Sequence, residues 1–74
     1  MREVKIDIPS KFQEDAEEVV KDYTSEISSS EIKKENKKFV ELTATISQKN
    51  LDELTDELKA LDVESGDLSI KVFE

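Results

Sequence analysis

In the opening run REVKIDIP, Val4, Ile6 and Ile8 alternate with Glu3, Lys5 and Asp7, and Pro9 closes the run. A period of two sets the three aliphatic side chains on one face of a strand and the three charged ones on the other. The period then changes. Phe12, Ala16, Val19, Val20 and Tyr23 in KFQEDAEEVVKDY recur at helical spacing as one apolar stripe, with Ser10 placed as N-cap and Gln13 three residues on. Alternation returns in KKFVELTATIS, where Val40, Leu42, Ala44 and Ile46 share one face and Phe39, Glu41, Thr43 and Thr45 the other. A second amphipathic helix follows: Asn50 and Glu53 have capping-box spacing, and Leu51, Leu54, Leu58 and Leu61 mark its buried stripe. The turn ESGD holds the only glycine, and DLSIKVFE alternates again with Leu68, Ile70 and Val72 on one side.

The stretch TSEISSSEIKKEN has the weakest pattern, because Ile27 and Ile32 fall on opposite parities. An edge strand with one apolar side, or a bulge between the two isoleucines, reconciles them. If Ile32 and Val40 share a face, the hairpin loop holds three residues, Glu35, Asn36 and Lys37, and Lys34 stands opposite Lys38. The order β-α-β-β-α-β predicts an α+β, ferredoxin-like sandwich formed by residues 1–74 as a single domain. Right-handed crossovers put both helices on one face of a four-stranded antiparallel sheet in the order 4-1-3-2. Each strand shows one apolar face only, as a sheet covered on one side requires.

Composition narrows the chemistry. The chain has 74 residues, 41% of them charged, with a formal net charge of −8 and neither His nor Cys. Thiolate metal sites and disulfides are excluded, and the commonest general base and metal ligand is missing. No glycine-rich phosphate loop, Walker loop or H-E-x-x-H occurs, and the serines and threonines have no His or Cys to activate them. The sequence therefore predicts no enzyme, no cofactor and no metal. A net negative chain is a poor nucleic-acid surface, and the outward strand positions lack the stacking aromatics of ferredoxin-like RNA binders. No apolar run approaches the roughly 20 residues that span a bilayer, so the segment is expected to be soluble and cytoplasmic, without direct membrane insertion.

Two charge patterns stand out. Lys33, Lys34, Lys37 and Lys38 crowd one hairpin of an acidic chain. Lysines on an outer strand discourage edge-to-edge pairing; the same cluster would also suit an anionic partner such as lipid headgroups. Together with Phe73, which faces away from Leu68, Ile70 and Val72, these lysines are the candidate partner-contact residues. Glu14, Asp15, Glu17, Glu18 and Asp22 crowd the first helix, and Asp52, Glu53, Asp56 and Glu57 the second. They read as a solvated outer face, since nothing has the loop spacing of a calcium site.

An N-terminal strand MREVKIDIP ending in proline, an amphipathic helix, a hairpin and LDELTDELKALDVESGDLSIKV together resemble the soluble N-terminal domain of the uncharacterised membrane proteins grouped as domain of unknown function 389. In those proteins a ferredoxin-like segment precedes transmembrane helices. The resemblance implies a non-catalytic accessory or interaction domain, contacting a protein partner or an adjoining membrane domain, and monomeric or weakly dimeric. The alternative is a small-molecule-sensing regulatory domain of the ACT kind, acting as a dimer. Those domains bind ligands near a glycine-containing first β-to-α turn, and here that turn reads IPSKF.

Overall fold

The structure, a computed structural model, describes residues 2–73. Strand β1 (Arg2–Pro9) runs into a short 3₁₀ turn, Ser10–Phe12, and helix α1 (Gln13–Lys21). A hairpin of β2 (Ile27–Lys34) and β3 (Lys37–Ile46) leads to helix α2 (Gln48–Lys59). A second 3₁₀ turn, Ser65–Asp67, precedes β4 (Ser69–Phe73). The sheet order is β2-β3-β1-β4, with every neighbouring pair antiparallel. This is the ferredoxin-like α+β arrangement that the alternation of periods predicts.

The register explains why the alternating positions become one core. Val4, Ile6 and Ile8 stand opposite Ala44, Leu42 and Val40 on β3, and Ile6 and Val4 stand opposite Ile70 and Val72 on β4. All of these side chains lie on the face that meets Ala16 and Val20 of α1 and Leu51, Leu54 and Leu58 of α2. Phe12, Val19, Tyr23, Leu61 and Leu68 pack around that cluster, half-buried. Burying a large aliphatic side chain contributes about 1.5–3 kcal/mol, so this layer is the main stabilising term in a domain with no covalent crosslink. Outside it, the Tyr23 hydroxyl donates to Glu57 and joins α1 to α2.

Three local expectations are corrected. The hairpin loop has two residues, not three: Glu35 and Asn36 have φ of 51° and 67°. Two consecutive positive φ values are those of a type I′ turn, whose twist matches the strands it joins. Lys34 consequently stands opposite Lys37 and Lys33 opposite Lys38, while Ile32 pairs with Phe39 on the open face rather than sharing a face with Val40. No bulge separates the isoleucines; the register is continuous, and Ile27 alone of the two turns toward the helices, opposite Ala44. The helix starts also differ. Neither Ser10 nor Asn50 caps: α1 follows the 3₁₀ turn that Pro9 introduces, and α2 begins after Ser47, whose backbone carbonyl accepts from the Asn50 N–H at 3.0 Å. The Ser47 hydroxyl is buried and has no partner among the described residues. Gly66 does not use positive φ, and no atom would crowd a Cβ there, so that turn owes its shape to the 3₁₀ segment and not to glycine's freedom.

Candidate interaction surfaces

The open face of the sheet is ordered in rows, one side chain per strand. Ile32, Phe39 and Pro9 form a short apolar row at the hairpin end. Next comes an acidic row, with Glu41 opposite Asp7 and Ser69 beyond it on β4. A basic row follows, with Thr43, then Lys5 opposite Lys71. Thr45, Glu3 and Phe73 close the face at the far end. Like charges directly opposite across strands disfavour each other, so both charged rows need relief.

The acidic row finds it in the lysine cluster. Lys34 Nζ lies 5.5 Å from the centroid of the Phe39 ring and bonds Asp7 Oδ2 at 2.8 Å. Asp7 is only 5% exposed, and Phe39, which belongs to this face and not to the main core, is equally buried. Burying a lone carboxylate is costly, and the ammonium over the ring supplies the countercharge. Asp7 Oδ1 has no partner among the described residues. One member of the cluster is thus an internal countercharge. Lys37 shares its face, whereas Lys33 and Lys38 fall on the helix side of the hairpin, beside Ser10 and Glu31. All three are exposed. A polar cleft of about 470 Å³ at this end brings Lys11, Lys37 and Lys38 together with Asp62, Glu64 and Asp67 of the α2–β4 connection. Of the hairpin lysines, Lys34 is thus paired with Asp7, and Lys37 and Lys38 line a cleft together with three of the chain's own acids.

The five candidate contact residues do not converge. The hairpin lysines sit where β1 ends, whereas Phe73 pairs with Glu3, where β1 begins, at the opposite end of the sheet. Phe73 is on the open face as expected, 41% exposed, with Lys5 Nζ 5.4 Å from its ring centroid.

Sequence reasoning missed the groove between α2 and β4. It holds about 620 Å³ and is lined by Thr55, Lys59, Val63, Leu68, Ile70 and Val72. It exists because β4 is a short edge strand and α2 covers only its inner side, so Val72 stays 43% exposed. The signal was present in Leu68, Ile70 and Val72, an apolar row on a strand with only one neighbour. Chemically the groove can hold apolar side chains, and the bare edge of β4 can hydrogen-bond another strand. Among the described residues no group of His, Cys, Asp or Glu is arranged to hold a metal ion, and no helix is long and apolar enough to cross a membrane. No family model matches the chain, and no curated protein matches it.

Proposed function

We propose that this chain is a non-catalytic interaction domain that docks a protein partner along β4 and the groove beside it. One observation carries the reading: an unpaired strand edge lies next to an open apolar groove, with Val72 and Phe73 exposed. Exposed apolar surface beside a free edge is how a sheet accepts an added strand. Attachment to a membrane-spanning portion belongs to the same proposal and follows from the resemblance to the domain of unknown function 389. It is tested by the reading frame beyond Glu74, where membrane-spanning segments support it and their absence overturns it.

The competing reading is a metabolite sensor. A thermal-shift panel of amino acids and nucleotides separates the two. The interaction reading expects every compound to leave the melting temperature unchanged. A saturable, ligand-specific rise would overturn it, because a ligand that binds only the folded chain must stabilise it.

A further inference from the structure

We infer that the partner seated on β4 is a second copy of this chain, paired antiparallel through a twofold axis at Ile70 so that two four-stranded sheets become one of eight strands. The inference deepens the interaction reading above and rests on it.

The charge rows on the open face choose the partner. Within one copy, Lys5 and Lys71 stand side by side with no acid in their row, and Asp7 and Glu41 stand side by side two residues further along β1 and β3. A twofold axis perpendicular to the sheet keeps each side chain on its own face, so β4 pairs with itself about a residue, and three centres, Ile70, Lys71 and Val72, pair at least three of its residues. Centring on Val72 pairs only residues 71–73 among the described residues and leaves Leu68 and Ile70 of the groove uncovered, which disfavours that register. Centring on Lys71 sets Lys71 against its own copy and lines four lysines across the joined sheet. Like charges directly opposite destabilise, which rejects that register. Centring on Ile70 sets Lys71 against Ser69 of the other copy. The row then reads Lys5 and Lys71 from one copy, followed by Ser69, Asp7 and Glu41 from the other, and the symmetry repeats it in reverse. Each basic row is continued by the acidic row of the other copy, in which Glu41 is the carboxylate that Lys34 does not already neutralise, and no lysine faces another across the seam.

The opposite face agrees. The same register puts Ile70 against Ile70 and Leu68 against Val72 of the other copy, all on the side that meets the helices. Leu68 has extended backbone angles of −107° and 124°, so the pairing can run one residue beyond β4. Those side chains close the two α2–β4 grooves against each other and cover Val72. The contact is short, and each copy carries a net charge of −8, so the dimer is weak and concentration-dependent. Exposed ion pairs contribute little individually, and the mutual repulsion of two acidic chains outweighs them; salt therefore tightens the association.

Sedimentation equilibrium of the 74-residue chain tests this, from about 10 µM to about 1 mM protein at about 50 mM and about 500 mM salt. The expected result is reversible formation of a species of twice the 8.5 kDa chain mass, stronger at high salt. Val72→Lys keeps the circular dichroism of the parent and weakens the dimer by more than about tenfold. The chain has no cysteine, so single-cysteine variants report the register: Ile70→Cys oxidises to a covalent dimer and Lys71→Cys does not, since only residues on the axis approach within disulfide reach. A chain that stays monomeric at high salt, a Val72→Lys dimer of unchanged strength, or a covalent dimer formed by Lys71→Cys and not by Ile70→Cys overturns the self-pairing. None of these touches the interaction reading, which falls to a ligand-specific thermal shift.

Discussion

The two edges of the sheet are built oppositely. β2 has eight residues, of which only Ile27 and Ile32 are apolar, and those two point to different faces. Ser28, Ser29, Ser30 and Glu31 are exposed, and the strand ends in two lysines. β4 has five residues, SIKVF, with its apolar side opening onto a groove. A polar, lysine-ended edge resists adding a strand, whereas a short apolar one beside a cavity invites it. The difference gives the serine-rich stretch, the least strand-like in the sequence, a place on the outside of the sheet: of the two edges, β4 is the one with exposed large apolar side chains.

The largest test of this comparison removes what supports β4. Leu54 of α2 is 1% exposed, and Leu54→Ala is expected to cost about 2–5 kcal/mol in urea denaturation. Amide exchange should accelerate more in β4 than in β2; equal acceleration at both edges would break the asymmetry. Next in size is the tie that anchors the β2 end. Lys34→Met leaves Asp7 buried without its countercharge, at an expected cost of about 1–2 kcal/mol given that the lysine is 45% exposed in its side chain. Adding Asp7→Asn should recover part of that loss, because a buried amide needs no cation; an additive double variant would mean that the pair is not coupled.

The polarity of β2 can be reversed directly. Ser29 faces the helix side opposite Leu42, and Ser29→Val raises strand propensity at a gain below about 1 kcal/mol. Light scattering should then show association through β2 that the parent does not have. A smaller effect is expected at Ser47. A working cap would cost about 1 kcal/mol on truncation, but its hydroxyl is buried without a partner among the described residues, so Ser47→Ala should change stability by less than about 0.5 kcal/mol.

The smallest effect lies on the helix seam, away from both edges. Tyr23 is pushed up to about 12 from its usual 10.0, first by its hydrogen bond to Glu57, then by burial and by the charges of Glu57, Glu53 and Asp22. A raised pKa favours the protonated phenol in the folded state. Its contribution is therefore complete below about pH 10 and lost as pH rises toward about 12. Titration of the phenolate absorbance should give the raised midpoint in the parent and a lower one in Glu57→Gln, with association through β4 unaffected.

Periodicity alone specified the strands β1 and β3, both helices and their shared core, because Val4, Ile6, Ile8, Val40, Leu42, Leu54 and Leu58 each obey the period of their element, and hydrophobic burial follows period. The partner assignment of the strands followed too, since handedness leaves few ways to connect β-α-β-β-α-β. The hairpin register was not legible. A type I′ turn normally announces itself with Asn-Gly or Asp-Gly, and here Glu35-Asn36 adopts it because the paired strands impose the twist on a residue that does not prefer it. The helix starts were misread at Ser10 and Asn50, because capping spacing records which residues could cap, while the approach of the preceding strand decides which one is reached.

The candidate site divides the same way. The sequence by itself placed Asp7 and Phe39 on the polar side of their strands and gathered the lysines into one hairpin. Only the tertiary structure buried Asp7 and Phe39 together under Lys34, and only strand order made β4 an edge with a groove beside it. Period is a property of neighbouring residues, which the chain carries locally. Rows across a sheet join residues as distant as Asp7 and Lys34, and such neighbours exist only once four strands have been laid side by side.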